Sequence, residues 1–415
     1  MTRHERRDLD LVVWGATGYT GRLVADALAA GAPAGLRWAL GGRDRERLEA
    51  LRSDLAADVE IVCGDAHDAA SLARIARATR VVLSTVGPYS EHGTPLVSAC
   101  VEAGTDYADI SGETRWMRSS IDAFDASARA SGARIVHACG FDAVPSDLGV
   151  WLLQEAALAR YERPCRRCVH VFGVSGAGLS GGSVASTLGV LTGVANERSA
   201  RLPIADVDLL APGAPPSSPI TDVWWPQREP QRRAWTAPFP MALVNTRVVR
   251  RTRALLGEPW SSAFEYRERW RAPSWSLAAL VGAGSRTLPA LLALSPARRL
   301  AQRWLPKPGE GPEPAALERG SFDTTLTGQV DGVAEPVVVR IASPFDPGYR
   351  ATARMLREIG LLLAAGECEA PGGVLTPAFV GRERLVERLG LAGIRFEVVA
   401  EPVTPADQRP ADGGA

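Results

Sequence analysis

The chain has 415 residues, 23% of them charged, with 47 basic and 47 acidic side chains and a formal net charge of zero. That length calls for two domains, and the balanced charge offers neither a basic surface for nucleic acid nor an acidic tail. Six cysteines in a long, core-rich chain argue against a disulfide framework and for a reducing compartment; residues 1–10 are charged and lack the apolar run of a secretory signal, so the expected location is cytoplasmic.

The apolar run Leu9–Trp14 predicts a strand, which leads directly into Gly15-Ala16-Thr17-Gly18-Tyr19-Thr20-Gly21. A strand that breaks into a glycine turn and reopens as a helix is a way to hold a phosphate. Gly15 permits the tight turn, Gly18 the approach of a pyrophosphate, and Gly21 the close packing of helix on sheet. Free amides at the helix start favour the anion. The spacing is G-x-x-G-x-x-G rather than G-x-G-x-x-G. The helix stops at Gly31, and a second strand over 36–40 runs into Gly41-Gly42-Arg43-Asp44. About 20 residues past the turn an NAD enzyme carries an acid, whereas an arginine there signals the 2′-phosphate of NADP. Arg43 takes that place, and Asp44 reads as the N-cap of a helix over 45–55.

The alternation continues with strands over 59–63, 80–85, 107–110 and 133–138, and helices over 69–78, 95–103 and 116–130. Strands alternating with helices predict an α/β fold built on a doubly wound parallel sheet. Its ligands lie outside the carboxyl ends of the strands, which nominates Asp65, Thr85, Gly87, Pro88, Tyr89 and Asp142 to line a cofactor cleft.

From about Pro145 the pattern changes. Cys165-Arg166-Arg167-Cys168 is a lone C-x-x-C, and the five histidines show no ligand spacing, so no metal is expected. Residues 176–193 read as a loop and a small-residue helix suited to close packing, and 211–219 as an exposed loop. Trp224, Trp225, Trp235, Phe239 and Met241 precede Arg247, Arg250 and Arg251, of which at least one is expected to take a phosphate because the guanidinium fork suits its oxygens. The apolar stretch 277–294 is broken by Gly282, Gly284, Arg286 and Pro289. It falls short of the roughly 20 unbroken residues a membrane span needs and predicts a buried or interfacial helix pair, with Arg298, Arg299 and Arg303 after it. Residues 307–314 form a linker. Strands over 321–330 and 337–342 flank a turn at Asp331-Gly332, a helix begins at Asp346-Pro347, and a helix over 379–389 and a strand over 394–399 follow. Lys307 is the only lysine, so the Tyr-x-x-x-Lys pair of short-chain dehydrogenases is absent, and lysine Schiff-base chemistry is out unless Lys307 itself serves.

With these segments in hand, the chain resembles the saccharopine dehydrogenase-like oxidoreductases, and within them the trans-acting enoyl reductases of actinobacterial lipid and polyketide assembly. The resemblance rests on WGATGYTG (14–21), GGRDRERLEAL (41–51), STVGPYSEHGTPLVSAC (84–100), YADISGE (107–113), CGFDAVPSDLG (139–149), NTRVVRR (245–251), LPKPGEGP (305–312) and DPGYRATARML (346–356). It implies an N-terminal Rossmann-type domain over 1–145, a second mixed α/β domain over 146–345, a segment over 346–405 that returns to the fold, and a frayed tail over 406–415. It implies NADP(H) as cofactor, with Gly15, Ala16, Thr17, Gly18, Tyr19 and Gly21 under the pyrophosphate and Arg43 at the adenosine phosphate. Asp65 falls near the adenine or its ribose, and Thr85, Gly87, Pro88 and Tyr89 flank ribose and nicotinamide. Tyr89 is the expected proton donor, with Asp142 and Glu113 as alternatives. The implied substrate is a lipid or polyketide enoyl intermediate, free or on a carrier protein. Peripheral contact with a membrane and the oligomeric state stay open. So do two other readings: an NADP-binding, lipid-associated scaffold without turnover, and an amino-acid-linked dehydrogenase.

Overall fold

The computed structural model describes residues 7–175, 206–214, 224–229, 234–257, 260, 263–293 and 311–399, with backbone only at 286 and 288–293. The expectations for 176–193, for 215–219, for Leu294, Arg298, Arg299, Arg303 and Lys307, and for the tail beyond 399 lie outside the described residues.

Two seven-stranded sheets organise the chain. The first is parallel throughout and joins β1 (Leu9–Trp14), β2 (Trp38–Gly42), β3 (Glu60–Cys63), β4 (Thr79–Ser84), β5 (Asp106–Asp109) and β6 (Arg134–Val136) with a late strand, β13 (Gly373–Leu375), in the order β13-β6-β5-β4-β1-β2-β3. β1 runs through its middle, with Val12 opposite Ala39 on one side and Val82 on the other. Both faces are covered, so the strand is apolar at successive positions. Leu11 and Val13 enter one core with Val24 and Leu28, while Val12 and Trp14 enter the other with Leu72 and Ile75, as the two-residue period of a strand requires. The connecting helices are α1 (Tyr19–Gly31), α2 (Arg45–Leu55), α3 (Ala69–Ala78), α4 (Tyr89–Ala103) and α5 (Thr114–Ser131).

The second sheet is mixed. It joins β7 (Arg167–Ser175), β8 (Gln227–Glu229), β9 (Ala234–Pro238), β10 (Glu265–Ala272), β11 (Ser321–Gln329), β12 (Val337–Ser343) and β14 (Arg395–Val399) in the order β14-β12-β11-β7-β10-β9-β8. Only β7 and β10 pair in parallel. Helices α6 (Val144–Tyr161), α7 (Ala242–Leu255), α8 (Trp275–Ala293) and α9 (Pro314–Glu318) come from this part of the chain. The C-terminal stretch then brings α10 (Thr352–Ala364) onto the first sheet and α11 (Pro377–Leu391) against α6. Gly360 is what lets α10 lie flat, since a Cβ there would stand 2.8 Å from the Leu83 side chain. The fold class is the expected one, a Rossmann-type parallel sheet followed by a mixed α/β part.

Three elements differ from expectation. α4 starts at Tyr89 rather than Pro95, because the Glu113 carboxylate, from the loop after β5, accepts from the Tyr89 amide (2.8 Å) and the Ser90 amide (3.0 Å). α8 is one helix, not a pair. Gly282 lets it pack closely on the segment at Trp224, its Cβ position being 2.1 Å from the Trp224 carbonyl oxygen. The segment from Asp346 enters α10 through a π-helical turn, Pro347–Ala351, a distortion frequent at functional sites. Among the described residues no helix is long and apolar enough to cross a membrane.

Candidate functional site

The glycine loop leaves the carboxyl end of β1 at the sheet's centre. Gly15 has φ +84°, and a side chain there would collide with Val86 and Thr85. Thr85, at the end of β4, pins the loop by donating to the Trp14 and Gly15 carbonyls (both 3.2 Å). Ala16 is buried beneath it. Gly21 lies in the packed interior, its Cβ position 2.1 Å from the Gly15 oxygen. Gly18 differs: a Cβ there would meet one atom, the Gly15 oxygen at 3.2 Å, and nothing else within 4 Å. It is the N-cap of α1, and no side chain caps that helix. The first-turn amides are therefore open to an anion on the side where Gly18 leaves space. Thr17 is exposed beside it. The Tyr19 side chain turns away, donating its hydroxyl to the Pro312 carbonyl (2.6 Å) and meeting Tyr349 edge-on at 5.1 Å; only its backbone faces the anion site.

Arg43 follows β2, exposed, and no hydrogen bond or ion pair among the described residues engages it. Asp44 caps α2, accepting from the Arg47 amide (3.1 Å). Asp65 follows β3, exposed, its carboxylate accepting from the His67 amide (2.8 Å). Gly87 is exposed and Pro88 half-buried at the end of β4, where Pro88 is the N-cap of α4. These groups share one edge of the sheet with the glycine loop, and the arrangement fits a dinucleotide: an open helix start for the pyrophosphate and an unengaged guanidinium beyond β2 for an adenosine phosphate.

Tyr89 requires a correction. Its ring is 3% exposed and stacks on Trp116 at 5.4 Å. Its hydroxyl donates to the Ser84 carbonyl (3.0 Å) and accepts from the Ile110 amide (3.4 Å). Burial pushes the phenol well above its ordinary range. It braces β4 against the loop after β5, and its proton is not presented to a ligand. Glu113 is likewise committed to capping α4. Nearby, Asp109 accepts from His137 Nδ1 (2.7 Å), and His137 Nε2 lies 2.9 Å from Ser120 Oγ. The row has the spacing of a hydrolytic triad, but all three residues are buried under Trp116 and Tyr107, so it holds α5 to the sheet.

The arginines of α7 also depart from expectation. Arg247, Arg250 and Arg251 are buried. Arg251 Nη2 donates to the Val374 carbonyl (2.8 Å) and pairs with Asp125 (3.1 Å), tying α7 to β13 and α5. Arg250 pairs with Asp208 at 3.4 Å, and Arg247 donates to the Leu243 carbonyl (2.8 Å). Each of these guanidinium groups is engaged by a protein acceptor.

After β6 lie Asp142, which its place past a strand end nominated, and a polar cluster around Glu268, which nothing in the sequence nominated. Asp142, half-buried after β6, is pushed up to about 6 by desolvation. One turn along, Ser146 donates to Glu268 Oε1 on β10 (2.6 Å). Tyr266 donates to the same oxygen (2.7 Å), and Asn245 Nδ2 to Oε2 (2.9 Å). Behind them, His170 Nδ1 lies 3.2 Å from the Tyr266 hydroxyl and Nε2 2.8 Å from Thr324 Oγ1. Gly112, after β5, faces Val244, with 3.7 Å between its Cβ position and Val244 Cγ2, which sets Asn245 next to the first sheet's carboxyl edge. Asn245 lay within a segment noted for its arginines; nothing local in Glu-Tyr-Arg-Glu-Arg-Trp-Arg (265–271) marks Glu268 as buried. Among the described residues no group of histidine, cysteine or acidic side chains could hold a metal ion.

Comparison with known proteins agrees with this geometry. Residues 11–136 match the family model of the saccharopine dehydrogenase NADP-binding domain. A Mycobacterium tuberculosis protein assigned to the trans-acting enoyl reductases is 42% identical, over 94% of this chain and 97% of its own. The trans-acting enoyl reductase of Mycobacterium leprae is 36% identical over the same shares. Apo saccharopine dehydrogenase (L-Glu forming) from Saccharomyces cerevisiae superposes with a TM-score of 0.54 at 13% identity, covering 94% of this chain and 99% of that one, a likeness of fold.

Proposed function

The chain belongs to the trans-acting enoyl reductase family within the saccharopine dehydrogenase-like NADP-dependent oxidoreductases, and from that premise we propose that it reduces the carbon–carbon double bond of an enoyl thioester in a lipid or polyketide intermediate, carried to it by a separate synthase or carrier protein. The observation that carries this reading is the near full-length likeness to relatives bearing that name.

NADPH, when bound, supplies the hydride. The amides of the glycine loop hold the pyrophosphate, Gly18 leaves it room, Arg43 takes the 2′-phosphate, and Asp65, Thr85, Gly87 and Pro88 shape the rest of the edge. Of the three donors read from the sequence, Tyr89 and Glu113 are committed to the fold, and Asp142 is the one we assign the role. Asp142 follows β6 past the carboxyl end of a strand, and desolvation lets it retain a proton close to neutral pH, where a general acid works best. It gives that proton to the α-carbon while the β-carbon is reduced.

The test is NADPH oxidation with a panel of long-chain 2-enoyl pantetheine thioesters, saccharopine and short oxo acids, with mass spectrometry of the products. A saturated thioester is the expected product. Turnover of saccharopine with none on any enoyl arm restores the amino-acid reading, and saturable NADPH binding without oxidation on any arm restores the scaffold.

A further inference from the structure

From Pro347 to Ala364, through the π-helical turn and α10, every residue is buried except Gly348, Arg350, Arg354 and Arg357. The three arginines stand at i, i+4 and i+7, the spacing of one helix face. Solvent therefore reaches α10 only along a narrow strip of guanidinium groups. Arg357 is tied down, donating to the Ala27 carbonyl (2.8 Å) and pairing with Glu358. Arg350 and Arg354 are not. Arg354 donates to the Arg350 carbonyl (3.1 Å) and lies 3.6 Å from the centre of the Phe345 ring, which Arg350 approaches at 5.6 Å. No carboxylate among the described residues pairs with either. Burial, then the charges of Arg350 and Arg357, bring Arg354 down to about 10. Like charges one turn apart repel, and a half-buried cation ordinarily finds an acid. Two guanidinium groups gathered on one ring without one cost the fold stability that an anionic ligand restores.

We propose that Arg350 and Arg354 bind the phosphate of the arm that carries the substrate, a phosphorylated pantetheine. This deepens the reading of the substrate as a carried enoyl thioester and rests on it. The turn that bears Arg350 touches both loops of the site. Tyr349 meets Tyr19 of the glycine loop edge-on at 5.1 Å. Thr352 Oγ1 accepts from the Phe141 amide (3.0 Å), one residue before Asp142, and Gly140 lies against the same side chain, its Cβ position 2.9 Å from Thr352 Cγ2. The strip also lies on the right half of the sheet. α10 packs on β1, β4 and β5, toward β6 and Asp142, whereas Arg43 and Asp65 follow β2 and β3 on the other side of β1. The adenosine phosphate and the strip thus fall to opposite halves, which leaves the arginines of α10 to a second ligand. A planar guanidinium fork suits phosphate oxygens, and the Phe345 ring supports both groups. The phosphate contact expected of Arg247, Arg250 or Arg251 passes to this pair. No bond is made or broken here; the subsite holds one end of the arm while the thioester end is reduced.

Calorimetry on the NADPH-loaded protein tests this apart from turnover, with two ligands that cannot be reduced: a saturated long-chain acyl thioester of phosphopantetheine and the same thioester of pantetheine. The phosphorylated ligand is expected to bind about ten-fold tighter, the share of a charge-assisted contact. In an Arg350→Gln, Arg354→Gln double variant that advantage disappears, while affinity for the acyl pantetheine and for NADPH stays. The variant folds, because no carboxylate loses a partner. Acyl coenzyme A and an acylated carrier protein are titrated alongside, and the one that loses more in the variant is the source of the phosphate. Equal affinity for the two test ligands in the wild type, or an advantage that survives in the variant, overturns the subsite. A variant that loses NADPH affinity instead assigns the arginines to the cofactor and overturns it as well. Absence of turnover on every enoyl thioester, with the phosphate advantage intact, removes the reduction and leaves the subsite standing.

Discussion

Arg43 and Arg251 carry the same side chain in opposite surroundings, and the two regions they mark divide the molecule by use. At the carboxyl edge of the first sheet the groups are left incomplete: no side chain caps α1, Gly18 faces space, and Arg43 is exposed with no ion pair among the described residues. Along α7 the side chains are tied into the fold, with Arg251 bound to Asp125 and Val374, and next to it Thr252 donates to Asp147. Incomplete polar groups at a surface cost little, because water satisfies them, and they wait for a ligand. Buried ones must find partners in the fold. An arginine is therefore read as a ligand contact or a tie by what it meets, not by what it is.

The sharpest way to break the comparison uses two glycines of one loop. Gly18→Val abolishes NADPH binding in calorimetry while the circular dichroism spectrum stays native, because the side chain enters the space left for the pyrophosphate. Gly21→Val fails to fold stably, since its Cβ meets backbone. A folded Gly18→Val protein that binds NADPH tightly removes Gly18 from the site. The next effect lies along α7. Arg251→Ala takes its donor from the Val374 carbonyl and one of three donors from Asp125, which keeps Arg129 and the Val374 amide, and losing such a buried charge-assisted contact costs about 1.5–3 kcal/mol; urea denaturation reads the loss, and NADPH affinity of the folded fraction does not change.

Proton linkage gives a third measure. Glu268, fully surrounded by protein, holds its proton up to about pH 7, whereas an unfolded glutamate loses it near the usual carboxylate value of about 4.3. Between those values the unfolded chain has given up a proton that the folded one retains. The stability present below pH 4 is thus lost as the pH rises to about 7, after which the dependence flattens. The group's share is at most about 4 kcal/mol. Glu268→Gln removes it, so the difference in melting temperature between pH 5 and pH 8 shrinks in the variant; an unchanged difference shows that Glu268 is ionised in the folded state across this range. The smallest effect belongs to the open edge. Arg43→Ala erodes the preference for NADPH over NADH by roughly ten-fold or more, the share of one charge-assisted contact, and leaves the melting temperature where it was. Equal binding of both cofactors by the wild type sinks that role.

Much of the first sheet was legible along the chain, and so were parts of its edge. Asp44 as a cap and the distinct places of Gly15, Gly18 and Gly21 follow from turn chemistry among near neighbours. Tyr89 misled because it sits at the right strand end: its position follows from the sequence, but the direction of its hydroxyl is decided by Ser84 and Ile110. Ser146 and Glu268 stand 122 residues apart, and Arg251 and Val374 stand 123 apart.

The sequence by itself determined where the strands end, which turn is open enough for a phosphate and which arginine follows β2, because backbone conformation and side-chain period are set within a few residues. Only the tertiary structure decided which polar groups are spent on one another. Burial and hydrogen-bond partnership depend on what packs across from a residue, and for Tyr89, Arg251 and Glu268 those partners come from other elements of the fold.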